Sequence, residues 1–259
     1  MAAAKVRVDF ATVGGIVLAL AAIIGGLLLE KGEIRDIAQY TAAIIVLGGT
    51  AGAVLISTPP STLKGSMLRM KSVILDQEQA PGALIEEISK YAADARRNGL
   101  VSLESTCTTI EDPFLKKALT LAVDGADLAE LRKMMELEMQ NDEHRAESEA
   151  KVFESAGGYA PTIGIIGAVM GLIQVMKNLA NIDEVGHGIA VAFVATVYGV
   201  AIANIFLLPA ATKIKARAAH DLHMAELKLE GVIGIAEGLN PTMLRAKLEA
   251  FDHGGKKGG

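Results

Sequence analysis

Several features of enzymes and of disulfide-stabilised proteins are missing from this sequence. Cys107 is the single cysteine, so the chain can form neither an internal disulfide nor a CxxC redox or zinc site. There is no P-loop, no G-x-S-x-G elbow and no dinucleotide motif, and we expect no enzyme active site. His220 and His223 lie three residues apart without a third or fourth ligand, so we expect no metal and no cofactor.

Composition limits the class of protein and its partners. The formal net charge of −5 argues against a nucleic-acid partner. Tryptophan is absent and aromatic residues make up 4% of the chain, so any aromatic belt at a membrane surface is weak. Hydrophobic residues nevertheless reach 51%, beside 21% charged residues. This mixture indicates membrane-embedded and aqueous parts in one chain.

Charge is missing from four long apolar stretches, and this absence is the most informative feature of the chain. The stretches, called spans one to four below, are Phe10–Leu29, Ile37–Thr58, Tyr159–Met176 and Gly188–Leu208. Each is close to the ~20 residues that an α-helix needs to cross ~30 Å of hydrocarbon. We therefore expect an all-α membrane protein with four transmembrane helices in a 2+2 arrangement. None of the spans contains Asp, Glu, Lys, Arg or His, so they cannot supply a titrating acid or base.

Basic residues near the span ends predict the orientation of the chain in the membrane. Nine of them lie on the side of the termini and of the middle segment: Lys5, Arg7, Lys64, Arg69, Lys71, Lys151, Lys213, Lys215 and Arg217. The two short hairpin loops contain only Lys31, Arg35 and Lys177. Because basic residues concentrate in cytoplasmic loops, we expect both termini and the middle segment to be cytoplasmic.

The pattern divides the chain into four segments. Residues 1–58 hold the N-terminal segment and spans one and two, residues 59–157 a cytoplasmic helical domain, residues 158–208 spans three and four, and residues 209–259 a cytoplasmic helix with a disordered tail. The middle segment has apolar residues at helical spacing and charged faces, and no strand alternation persists. Stops such as Asn98-Gly99 divide it into several helices, so it is expected to be wholly helical.

Spans three and four contain many small residues. Ala192, Thr196, Gly199 and Ala203 share one face of span four, and span three contains three glycines and Ala168. Small residues permit close helix approach in lipid, which is compatible with ordinary packing or with faces that surround the helix of another chain. Thr196 would then be a polar group in an apolar wall, although a membrane threonine ordinarily bonds its own i−4 carbonyl.

Two prolines accompany these spans. Pro161 lies one turn into span three, and Pro209 is expected to end span four. Each removes a backbone donor and can kink or stop its helix. Prolines at membrane boundaries are common, so position alone does not assign them a function.

Three motifs give the chain a resemblance to a known family. They are RRNGLVSLE from Arg96 to Glu104, GYAPTIGIIGAVMGLI in span three, and VAFVATVYGVAIANIFLLPAATKI in span four. Together with the 2+2 layout, they resemble the A subunit of the bacterial flagellar motor stator, the MotA/PomA family within the MotA/TolQ/ExbB proton channel superfamily. The resemblance covers nearly the whole chain.

The resemblance implies an ion-driven motor in the bacterial inner membrane. In the family, five A subunits surround two copies of a MotB-like single-span subunit that brings an essential Asp, and ion flow past that Asp turns the ring. This chain lacks an intramembrane acid, so a partner's carboxylate would complete the path. The residues expected to line the path or face the partner are Pro161, Gly164, Ala168, Thr196, Gly199 and Pro209.

The same resemblance assigns a rotor-binding surface. Arg96 and Glu104, helped by Arg97, are expected to contact a protein of the flagellar switch complex. Asn98-Gly99 lies between them and is a candidate end of their helix. The basic residues that follow span two are expected instead to meet anionic membrane lipids.

The identity of the transported ion follows from one position. Sodium-driven members of the family place a Thr where Ala168 stands, with a second at Thr196. Losing that hydroxyl removes one oxygen from a site for a hard cation. We therefore expect protons.

Two other functions share some of these sequence features. TolQ/ExbB proteins also use ion flow, but they have three spans with the large insert after the first, whereas this chain has two pairs of spans. A passive membrane scaffold would explain the small-residue packing but not the motifs around Thr196 and Pro161.

Overall fold

The computed structural model describes residues 7–76 and 80–255, and the described chain is almost wholly helical. Its helices in chain order are α1 Phe10–Leu29, α2 Ile34–Ile37, α3 Tyr40–Ala43, α4 Gly49–Ser57, α5 Pro60–Ile74, α6 Pro81–Asn98, α7 Glu104–Thr109, α8 Pro113–Val123, α9 Leu128–Lys177, α10 Ile182–Ala201, α11 Leu208–Ala236 and α12 Pro241–Gly255. Two π-helical turns, Ile44–Gly48 and Ile202–Leu207, and a 3₁₀ turn, Leu100–Leu103, link some of them. Two short strands, β1 Arg7–Val8 and β2 Leu75–Asp76, pair antiparallel. The end of the predicted tail, residues 256–259, lies outside the described residues.

Local sequence signals fix where many helices begin and end. Pro60, Pro81 and Pro113 each occupy the first position of a helix, where the missing N–H removes no hydrogen bond. Asp9 caps α1 by accepting a hydrogen bond from the backbone N–H of Thr12 at 3.0 Å. Gly99 follows the last residue of α6 with a φ of +84°, a conformation that favours glycine.

Four helical segments are long and apolar enough to cross a membrane. They are Phe10–Leu29, Ile34–Ser57, Leu128–Lys177 and Ile182–Ala236. The four spans and the all-α fold class expected from the sequence are therefore confirmed.

Pro209 does not stop the helix that forms span four, which corrects that part of the expectation. The chain passes from the π turn Ile202–Leu207 directly into α11, and Pro209 is the second residue of that helix. Proline has no N–H to offer the carbonyl of Ile205, and the widened turn accommodates this loss without ending the helix.

The described residues form two compact units. The first contains residues 80–144 and 217–255, and the second contains residues 7–76 and 145–216. In the first unit, the middle segment and the chain after span four share one apolar core. Its fully buried members include Ile88, Leu103, Leu119, Leu131, Leu227 and Leu244. Segments separated in the sequence by spans three and four therefore fold together.

A buried ion pair reinforces the first unit. Lys228 on α11 is 8% exposed and donates a hydrogen bond to the Asp112 carboxylate. Asp112 also caps α8 by accepting from the backbone N–H of Leu115 at 2.8 Å. One carboxylate thus satisfies a helix end and a buried ammonium group.

A second ionic cluster joins three helices of the same unit. Glu230 on α11 accepts a hydrogen bond from Lys247 of α12 at 2.7 Å and pairs with Arg132 of α9 at 2.8 Å. Partial burial of Glu230 opposes ionisation of its carboxyl group, but the two cationic partners outweigh it and lower the pKa.

Replacing Lys228 with alanine is expected to lower the free energy of unfolding by roughly 1–3 kcal/mol, because a half-buried carboxylate loses its cation. The matched control is Lys90→Ala, which removes an exposed (i, i+4) pair with Glu86 and should cost no more than about 0.5 kcal/mol. Unfolding of the detergent-solubilised protein followed by circular dichroism measures both variants. Equal losses would contradict the structural role of Lys228.

Replacing Glu230 with glutamine tests the pH dependence of the ionic cluster. A lowered carboxyl pKa stabilises the folded state above the unfolded pKa, and this contribution disappears as the pH falls through the folded pKa. The wild-type protein should therefore melt at a higher Tm than Glu230→Gln at pH 7, and the difference should shrink below the ordinary carboxyl pKa of 4.5. A difference in Tm that does not change with pH would contradict this account.

Candidate functional site

Spans three and four pack at backbone contact distance through glycine. A Cβ placed on Gly164 would lie 2.8 Å from the carbonyl oxygen of Ala195, and one on Gly171 would lie 2.8 Å from that of Gly188. A Cβ on Gly199 would lie 2.5 Å from the carbonyl oxygen of Ala160. No side chain larger than hydrogen fits at these positions without movement of the backbone.

These contacts place two of the expected path residues inside the helix pair. Gly164 and Gly199 are buried, and each faces the other span of the same chain. They are therefore not on the outward surface of the pair. Within this unit they set the distance between spans three and four.

Three other expected path residues are more open. Pro161, Ala168 and Thr196 are each half-buried. Pro161 lies against Gly199, since a Cβ on that glycine would come 3.1 Å from the proline Cα. The Thr196 hydroxyl donates to its own-helix carbonyl at Ala192 over 3.4 Å, a long bond that leaves it available to another partner.

Span two packs against the same pair of helices. A Cβ on Gly49 would lie 2.7 Å from Ile163 of span three. Ala42 and Val46 share a buried cluster with Val194 and Ala195 of span four. Spans two, three and four therefore form one packed bundle within the second unit.

Tyr198 joins span four to the beginning of span two. Its hydroxyl donates to the carbonyl of Ile37 and accepts from the backbone N–H of Gln39 at 3.3 Å. The Gln39 N–H also donates to the Ile37 carbonyl at 3.1 Å. Tyr198 therefore gives each of these backbone groups, which lie just before α3, a second hydrogen-bond partner inside the bundle.

The outward faces of spans three and four remain apolar. Large side chains that are about half exposed or more include Ile165, Ile166, Val169, Met170, Leu172, Ile173 and Phe193. Such a surface suits lipid or the helices of other chains.

Two ion pairs link helices of the second unit outside the apolar spans. Lys213 of α11 donates to the Asp9 carboxylate and to the Thr12 hydroxyl at 2.7 Å, so it connects the end of span four to the start of span one. Arg69 pairs with Glu149, which is 7% exposed. Arg69, expected to meet lipid, thus has a protein partner.

Pro209 is exposed near the π turn.

The proposed rotor-binding charges lie at a sharp turn in the first unit. Arg96 and Arg97 lie in the last turn of α6, Gly99 follows that helix with a positive φ, and Glu104 begins α7. All three charged side chains are exposed. Leu103 is fully buried and holds the 3₁₀ turn against the core. The expected break at Asn98-Gly99 is confirmed, so a turn rather than one helical face presents these charges.

Three features of the second unit escaped the sequence analysis. They are the Tyr198 hydrogen bonds, the Lys213–Asp9 pair and the buried hydroxyl of Thr50. Asp9 directly before an apolar run is a cap signal in the sequence, but its long-range partner has no local signature.

Replacing Gly199 with alanine should disturb the span three–four contact, because the added methyl group meets backbone rather than a flexible side chain. We expect a loss of roughly 1–3 kcal/mol and a lower protein level in the membrane. Gly52→Ala is the control, since its Cβ meets nothing within 4 Å. Thermal melting and immunoblotting of membranes measure both, and wild-type behaviour of Gly199→Ala would contradict the close packing.

Comparison with known proteins identifies the family. Residues 106–226 match the model of the MotA/TolQ/ExbB proton channel family, and residues 13–93 match that of the Motility protein A N-terminal region. Motility protein A of Bacillus subtilis is 35% identical over 235 residues, which cover 90% of this chain and 87% of that protein.

Two solved structures are similar over the same extent. The MotAB structure of C. jejuni matches with a TM-score of 0.89 and 33% identity, over 94% of this chain and 95% of that one. The flagellar MotAB stator complex of Bacillus subtilis matches with a TM-score of 0.85 and 36% identity, over 91% and 93%. With four apolar spans and both family models matched, this chain belongs to the MotA family of multi-pass inner-membrane stator proteins.

Proposed function

We propose that this chain is the A subunit of a flagellar motor stator that conducts protons and converts their flow into torque on the rotor. The observation that carries the proposal is a bundle of uncharged spans whose fold matches the MotAB stator structures. An ion must cross hydrocarbon past a group that can bind it, and these spans provide no carboxylate of their own.

The missing carboxylate comes from a MotB-like subunit with a single span. Five copies of this chain surround two copies of that partner, as the family resemblance implies. Pro161, Ala168 and Thr196 are half-buried within one chain, which supports their facing a partner helix. Gly164 and Gly199 lie behind this face, at the contact between spans three and four, and hold the two spans together.

The transported ion is a proton. The Ala168 side chain offers no oxygen, so the wall around the partner's carboxylate has one side-chain ligand fewer than a paired-threonine site would have. Transfer of one charge through 100 mV supplies ~2.3 kcal/mol, which is enough to drive a conformational step.

The rotor contact lies on the turn that carries Arg96, Arg97 and Glu104. None of these has an ion-pair partner among the described residues, whereas Lys117, Arg132, Lys228 and Lys247 of the same unit are all paired. Exposed, uncompensated charges suit steering and recognition of a charged partner. Both termini and the first unit lie in the cytoplasm, where the rotor can reach this turn, and basic residues at the inner surface meet anionic lipids.

Charge reversal at Arg96 or Glu104 tests rotor coupling. Arg96→Glu and Glu104→Lys should abolish or greatly reduce the torque of tethered cells while leaving the amount of assembled stator complex unchanged. Lys133→Glu, an equal charge change at an exposed position of α9, is the control and should retain torque. If both reversed variants rotate normally, the turn is not the rotor contact, and full tolerance would favour a passive scaffold.

Varying sodium at fixed pH and membrane potential tests the ion. In a stator-deleted host that expresses this chain with its B partner, swimming speed should not depend on external sodium. A speed that follows sodium concentration would contradict proton transport but would retain the stator function.

A further inference from the structure

One threonine hydroxyl of span two is buried inside the bundle. Thr50 is 8% exposed, and its Oγ1 has no hydrogen-bond partner among the residues that the structure describes. A buried hydroxyl without a partner is costly, and within hydrocarbon no bulk water can compensate. Most buried polar groups of this kind are satisfied by protein or by ordered water.

The helix is irregular at the position where Thr50 would find its usual partner. A helical threonine commonly bonds the carbonyl four residues earlier, which here belongs to Val46. The π turn Ile44–Gly48 lies just before Thr50, and the Val46 carbonyl accepts the N–H of Gly49, which it shares with Ile45, and makes no bond to the Thr50 hydroxyl. The hydroxyl is therefore left over for another acceptor or donor.

The packing of its neighbours shows which way Thr50 points. Val46, one turn earlier on the same face, packs against span four, and Val54, one turn later, packs against Val152 and Ala156 of α9, just before span three. Gly49 contacts Ile163. The buried Thr50 side chain thus lies between these contacts, on the side of span two that faces spans three and four.

Spans three and four are irregular along the same stretch. Pro161 lacks an N–H, so the carbonyl of Gly157 loses its α-helical donor. Gly157 is buried and packs against Leu208, next to the π turn Ile202–Leu207 of span four. Each of the three spans therefore departs from regular α-helical bonding near Thr50, and such departures are often filled by water and found at functional sites.

We propose that Thr50 is the anchor of an ordered-water site inside the bundle, where the water also bonds backbone groups freed around Pro161. The ligand is a water molecule, which needs two to four polar partners in such a cavity. The water hydrates the side of spans three and four that faces span two. Its contribution to ion flow rests on the proposed function, whereas the presence of the water does not.

Thr50→Val is the decisive variant, because it keeps the shape of the side chain and removes only the hydroxyl. If the hydroxyl holds water, its loss should lower the Tm of the solubilised complex by about 2–4 °C, since the water and the backbone groups lose a partner. If the hydroxyl is merely unsatisfied, the same variant should melt at or above the wild-type Tm. Thr50→Ser, which keeps the hydroxyl, should be more stable than Thr50→Ala.

Radiolytic footprinting read by mass spectrometry provides a direct measurement, because bound water modifies the side chains beside it. Labelling of the span-three peptide that contains Ile163 should fall in Thr50→Val and persist in Thr50→Ser. Thr212→Val is the control, since that exposed hydroxyl bonds only the Leu208 carbonyl, at 3.0 Å, in the described structure. Unchanged labelling in Thr50→Val, or an unchanged Tm, overturns the water site. Neither measurement depends on motility, so its failure would leave the stator function standing.

Discussion

The close contact between the backbones of spans three and four is the constraint on which the second unit depends. Apolar burial does not drive helix association in lipid, so the spans rely on close van der Waals packing. Gly164, Gly171 and Gly199 permit this approach because any Cβ there would meet backbone atoms. Span two then packs against the pair, and the Tyr198 hydroxyl bonds backbone groups at its beginning. This packed bundle determines the surroundings of the polar side chains Thr196 and Thr50.

The absence of charge from the spans shapes the proposed mechanism. A bundle without an acid inserts into a membrane at a low free-energy cost, but its side chains cannot bind a proton. Placing the carboxylate on a partner separates the titrating group from the wall that surrounds it. The ionic contacts that the structure describes lie elsewhere: the Lys228–Asp112 pair and the Glu230 cluster stabilise the first unit, whereas the exposed charges near Gly99 have no ion-pair partner among the described residues.

Much of the fold could be predicted from local signals, but its long-range pairings could not. The four spans, the prolines at helix starts and the break at Gly99 depend on residues close together in the chain. The shared core of α6 with the end of α11 and α12 was not predicted, because an amphipathic pattern shows that a helix buries one face without showing against what. For the same reason the sequence does not show that Gly164 and Gly199, expected on the ion path or its partner-facing wall, lie at the contact between spans three and four; their path role stays a prediction. Pro209 was expected to end span four, but the π turn before it accommodates the missing N–H donor and the helix continues past it.

Proton flux into vesicles at a fixed membrane potential tests the central claim most directly. The vesicles would contain this chain with its single-span partner, or with the same partner whose membrane Asp is replaced by Asn. The account predicts flux with the intact partner and none with the Asn partner or with this chain alone. Equal flux in all three preparations would show that the chain conducts without a carboxylate from outside, and would contradict the account.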